Sequence, residues 1–321
     1  MPESHHYYKS FIAAIQHIIT NKARLANTIT DLLAIDKDAV YRRLRGEVTF
    51  SFVEMATIAK HLGISLDGIA GIESEQSRPT RIVMTKHVNP TSIDYGMFSD
   101  YINVLKLIKD EPNTLLMESG NALSQHLFYD YEYLTRLYLF GWSQASTFGG
   151  GMSFQEMNMP EQMRILQKDC CLYARHIKST HYVWDRMIFL RMTENIKFSA
   201  RIRLINEDDV AAIKNELTAL LNHLEKLAEK GRHEDTGNEV FLYISDPCLE
   251  TSYCCIKSQN LRISLFRTFL LNSNASLDED VFNEVNTWIR TLQKMSILIS
   301  VSGEKTRTEF FNTQRKIIET L

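Results

Sequence analysis

The sequence predicts a mainly α protein with a smaller antiparallel β component, an α+β chain in which a small helical domain precedes a larger mixed one. Three observations carry this. Apolar residues recur at three-and-four spacing, punctuated by glycines, through the first seventy residues. A polar stretch from Glu73 to Thr80, rich in Ser, Gln, Arg and Pro, then breaks the pattern as a linker does. Short alternating apolar runs cluster late, between Val240 and Phe269, where strands are expected.

The elements follow in order. Phe11, Ile12, Ile15, Ile18 and Ile19 mark a first helix over Tyr8 to Ile19. Asn21 caps a second, with Leu25, Ile29, Leu32 and Leu33 as its buried stripe. Asp36 caps a third that runs to Arg45 and stops at Gly46, the residue best suited to the left-handed conformation past a helix end. Ser51 opens a fourth through Val53, Ile58, Ala59 and Leu62, and Ser65 a short fifth with Leu66 and Ile69. The boundaries are therefore residues 1–72, a linker at 73–80, and a second region at 81–321.

In that second region Arg81 to Val88 is expected as a strand, Phe98 to Lys109 as a helix and Thr114 to Glu118 as a strand. An aromatic-rich helix from Ser124 to Trp142 is broken by Gly149, Gly150 and Gly151. Met159 to Thr193 is expected to be helical on either side of Ser179. Asn206 caps a helix in which Val210, Ile213, Leu217, Leu220, Leu224 and Leu227 form a heptad-like seam. Val240 to Ile244, Ser252 to Lys257 and Leu261 to Phe269 are expected as an antiparallel meander, and Leu277 to Ile299 and Phe310 to Leu321 as helices.

Composition narrows the function classes. Of 321 residues, 44% are hydrophobic and 23% charged, which excludes the disordered and fibrous classes. With no apolar run of signal or membrane-spanning length, the expectation is a cytoplasmic protein without a membrane partner. Five cysteines, in two adjacent pairs plus Cys248, lack any CxxC spacing and indicate reduced thiols. The net charge of −3 argues against nucleic-acid binding by the whole surface. Up to Ile72, however, eight Lys and Arg stand against seven Asp and Glu, so the first domain carries the positive share.

The third helix has the pattern that major-groove binding asks for. Val40 and Leu44, four apart, face a core, while Lys37, Asp38, Tyr41, Arg42 and Arg45 project at spacings of three and four. Arg42 and Arg43 are the strongest candidates for guanine or phosphate contacts. The stretch from Leu32 to Gly46 resembles the core of the Cro and lambda-repressor (Xre-type) helix-turn-helix family, and Ala59 to Asp67 resembles its closing helices. The domain they mark, residues 1–72, is about a fifth of the chain.

The resemblance implies a five-helix lambda-repressor-like domain, double-stranded DNA as partner, and base-facing positions at Lys37, Asp38, Tyr41 and Arg42, with Arg45 nearer the backbone. Ala34 stands where the family's turn usually has glycine, and the apolar position near the helix end falls at Leu44 rather than Arg43. The tail with Val301 to Glu304 and Phe310 to Asn312 is similar to a divergent branch, familiar from Bacteroides-type bacteria, in which such a domain precedes a large second region. The implied function is a one-component transcription regulator. A homodimer is expected, since one near-neutral module binds weakly at physiological salt, and the second region is expected to dimerise and to answer a small-molecule or protein effector. The alternative is an adaptor whose helix-turn-helix docks a protein instead of DNA.

Other constellations carry less. The aromatic group Phe128, Tyr129, Tyr131, Tyr133, Leu134, Tyr138, Phe140 and Trp142 suits a core more often than a pocket. Cys170, Cys171, His176 and His181 match no standard zinc spacing, and no metal or other cofactor is expected. Of Cys254 and Cys255, neighbours on a strand, one is expected buried and one exposed. No P-loop, GxSxG, HExxH or kinase signature occurs, so no catalytic residues are assigned and no enzyme is expected.

Overall fold

Caps set the starts of the N-terminal helices. In the computed structural model, which describes residues 3–69, 83, 84, 99, 102–147, 153–157, 159–267 and 273–321, the chain divides into two units, Met1–Arg81 and Ile82–Leu321. The first holds α1 (Glu3–Ile18), α2 (Lys22–Leu33), α3 (Lys37–Leu44), α4 (Phe52–Leu62) and α5 (Leu66–Ile69). Asn21 Oδ1 accepts from the Ala23 and Arg24 amides, both at 3.0 Å, and Asp36 Oδ1 accepts from the Ala39 amide at 2.7 Å. Ser51 and Glu54 close a reciprocal capping box at 3.2 and 2.6 Å. Each such cap contributes about 1 kcal/mol, much for helices of 8 to 12 residues. Phe11 and Ile15, Leu25 and Ile29, Val40, Phe50, and Ile58 with Ala59 form the unit's core.

The second unit is built on one mixed sheet. Its strands are β1 (Val83–Met84), β2 (Leu115–Gly120), β3 (Ser179–Asp185), β4 (Glu239–Ser245), β5 (Tyr253–Lys257), β6 (Arg262–Arg267), β7 (Ser273–Ser276) and β8 (Ser296–Leu298), in the order β1-β7-β6-β5-β2-β3-β4-β8. β2, β3 and β4 pair in parallel, and every other pairing is antiparallel. The chain is thus α+β with a mostly antiparallel sheet, but its centre is parallel.

That centre departs from expectation in two places. β3 lies inside the stretch expected to be helical. Its Tyr182, Val183 and Trp184 are all buried because both faces of the sheet are covered, which erases the alternation that marks a half-exposed strand. β4, expected to open a meander, instead joins β3 with Tyr182 opposite Leu242, and the meander is β5, β6 and β7. The linker 73–80, the glycines 149–151 and all but Val83 and Met84 of the first expected strand lie outside the described residues.

Helices cover the sheet unequally. On one face lie α7 (Glu132–Thr147), α9 (Ile188–Arg201), α10 (Glu207–Lys230) and α12 (Glu304–Glu319), joined by α8 (Glu161–Ala174) and a helix α6 through residues 102–108. The aromatic-rich helix begins later than expected, after a 3-10 turn at Gln125–Leu127. On the other face, among the described residues, α11 (Glu279–Lys294) alone lays Phe282, Val285, Ile289 and Leu292 against Met117, Val183 and Cys255. The expected helix 277–299 is cut at Lys294 because β8 pairs with β4. Among the described residues no helix is long and apolar enough to cross a membrane.

Candidate functional site

Two places bring chemically useful groups together, one in each unit. In the first, α3 is anchored from within. Val40 is fully buried, and Leu44 and Tyr41 pack against the same core. The Tyr8 hydroxyl of α1 donates to the Arg43 carbonyl at 2.9 Å and accepts from the Phe50 amide at 3.2 Å, which ties α1 to the α3–α4 loop. Ala34, in the turn before α3, adopts φ 52° in the left-handed region, where a side chain costs about 1–2 kcal/mol.

The six residues singled out from sequence separate here. Lys37, Asp38, Arg42 and Arg45 are exposed, and Tyr41 is half-buried. Arg43 is turned inward: its guanidinium pairs with Glu54 of α4 at 3.0 Å and lies 5.8 Å from the Phe50 ring centre. The reason is helical geometry, since Arg43 follows Val40 by three and shares its inward side. A further residue completes the outer face. Glu47 stands 2.6 Å from Arg45 and 3.6 Å from Arg42, and Arg45 holds its carboxyl below the usual carboxylate range. Glu47 lies past the helix end, so helical periodicity alone does not reach it. Beside it, Phe52 and Val53 are exposed by 73% and 72%, although Val53 was expected along the apolar stripe of α4.

In the second unit a cavity of about 60 Å³ opens at the carboxyl end of the parallel strand β2. Open α/β sheets commonly bind ligands at strand carboxyl ends. Glu118 of β2 lies in one row with Cys254 and Leu265, its partners across β5 and β6. Burial pushes the Glu118 carboxyl up to about 7, against the pull of the Ser124 hydroxyl and the Arg267 guanidinium. His126 shares a hydrogen bond of 2.7 Å with the Tyr182 hydroxyl, and burial lowers its imidazole to about 3, so it stays neutral. The Ser252 hydroxyl, on a residue 8% exposed, lacks a hydrogen-bond partner among the described residues.

The remaining constellations are structural. Phe128, Tyr129, Leu134 and Phe140 are buried in the core, with Tyr131, Tyr133 and Tyr138 packed on it, and the Trp142 side chain lies outside the described residues. Gln125 donates to Tyr138, so the cavity borders that core. The Val210 to Leu227 seam is spent inside the unit, with its five residues from Ile213 onward buried. Cys254 and Cys255 are both buried, because α11 covers the face that was expected to be open. Cys170 and Cys171 belong to the multi-helix face, while the His181 ring stacks on Phe241 and bonds Gln293 of α11 on the other, so the structure does not bring them together. Compared with protein-family models, with curated proteins and with solved structures, the chain matches none of them.

Proposed function

We propose that the protein is a dimeric, cytoplasmic, sequence-specific DNA-binding transcription regulator in which α3 enters the major groove. One observation carries this reading: α3 is fixed from inside by Val40 and Arg43, while Lys37, Asp38, Arg42 and Arg45 stand exposed. The order of α1–α5 supports the lambda-repressor-like arrangement that the sequence resembles. Arg42 is suited to the O6 and N7 of guanine, Asp38 to the amino group of cytosine, and Lys37 and Arg45 to phosphates. The inward Arg43 acts as a positioning residue for the helix.

Few phosphate contacts are available to one copy, and Glu47 competes with phosphate for Arg42 and Arg45. Two copies on a two-fold site supply the missing affinity. The larger unit serves dimerisation and effector response rather than catalysis. Selection from a randomised duplex pool tests the proposal: a two-fold-symmetric site should emerge and be lost with Arg42→Ala. An adaptor that docks a protein is the second reading, favoured by the exposed Phe52 and Val53 beside α3. Failure to enrich any sequence would favour it.

A further inference from the structure

The cavity at the end of β2 is lined by one carboxyl group and one guanidinium that do not pair. Glu118 and Arg267 both line it, and Arg267 acts on the Glu118 carboxyl only at a distance, with no hydrogen bond to it. The strand registers explain the separation. Arg267 lies two residues beyond Leu265 on the same face, and Leu265 lies two strands from Glu118. Strand spacing and rise then put their Cα atoms roughly 12 Å apart. Over that span the carboxyl group and the guanidinium line one cavity without pairing.

Ser252 packs on Gly120 at the end of β2. A Cβ at Gly120, two residues after Glu118, would collide with Ser252 Oγ. The Arg267 amide donates to the Ser252 carbonyl at 3.1 Å, which holds Ser252 beside the arginine. Its buried hydroxyl has no hydrogen-bond partner among the described residues, a cost that a ligand or water would relieve.

The other titratable groups near Glu118 add no charge. Burial raises the Tyr182 hydroxyl on β3 and the Cys254 thiol on β5 and lowers the His126 imidazole, so all three are neutral. The cavity thus offers one carboxyl group, one guanidinium and hydroxyl donors, with no net charge when both ionise. A lone anion would leave Glu118 protonated and unused, and a lone cation would leave the Arg267 guanidinium without a counter-charge.

We propose that this cavity binds a small zwitterion, a free α-amino acid, with its ammonium against Glu118, its carboxylate against Arg267, and Ser252 bonding the carboxylate. The volume of about 60 Å³ favours small members of the class. Binding ionises Glu118 and so releases a proton at neutral pH. The site is independent of how α3 acts, and its test needs no DNA.

Calorimetry and thermal melts of the full chain with free L-α-amino acids, each to about 10 mM, provide the test, beside acetate and ethylamine as half-ligands. At least one amino acid should bind and raise Tm, with both half-ligands at least tenfold weaker. Buffers of different ionisation enthalpy should show proton release. Glu118→Gln and Arg267→Met should each weaken binding tenfold or more, and Arg267, on an edge of the cavity, keeps the test readable where Glu118→Gln fails to fold. Binding of acetate alone with proton uptake, binding unchanged by Arg267→Met, or no binding by any amino acid would each overturn the proposal.

Discussion

The two units handle charge in opposite ways. On α3 the charged groups stand in water beside one another, Arg42 and Arg45 against Glu47, where pairing is worth about 0–1 kcal/mol and salt screens it. In the larger unit Glu118 is set among buried neighbours on a sheet row, where its ionisation is opposed by burial. On the proposals made above, the first arrangement answers to salt and to a competing polyanion, and the second to pH and to a ligand that supplies a counter-charge to Glu118.

Substitutions separate the two. Trp184→Ala in β3, at the centre of the sheet, should cost about 3–5 kcal/mol in denaturant unfolding, since Trp184 is 2% exposed and packs on Tyr182 and Phe310. Within the first unit Arg43→Ala should cost about 1–3 kcal/mol, because it strips Glu54 of its partner, whereas Arg42→Ala should stay within about 0.5 kcal/mol. Equal melts for the two variants would contradict the inward placement of Arg43.

The pH response has a definite sign. Glu118 is raised in the folded state, so its contribution is fully present below its unfolded value near 4.5 and is lost as pH rises through about 7. Relative to Glu118→Gln, the wild-type chain should therefore lose about 2 kcal/mol between pH 4.5 and 8. Parallel stability curves for the two proteins would mean that Glu118 is not desolvated. Ala34→Gly, which relieves the left-handed backbone before α3, should stabilise by about 1 kcal/mol or less in the same assay. Smallest of all, Glu47→Gln should leave stability within about 0.5 kcal/mol while tightening DNA binding severalfold.

The same contrast explains what was legible in the sequence. In the first unit the information is local: Asn21, Asp36 and Ser51 cap the helices, and Gly46 and Gly63 take positive φ at their ends. In the larger unit β3 looked helical because burial on both faces hides its period, and only pairing with strands some sixty residues away makes it a strand. The exposed residues Lys37, Asp38, Arg42 and Arg45 were readable from helical spacing, but the inward turn of Arg43 depends on Glu54 and Phe50, and Glu47 acts from a loop. Glu118 carried no signal at all, since its neighbours Cys254, Leu265 and Arg267 meet it only through the β2–β5–β6 register.

The salt dependence of DNA binding tests the central claim most directly. Fluorescence anisotropy at low and physiological salt should show affinity that falls as salt rises, with the slope flattened by Arg42→Ala/Arg45→Ala and the thermal melt unchanged. Absence of salt-dependent binding up to roughly 10⁻⁴ M, or the same slope in the double variant, would contradict α3 as the DNA-reading helix.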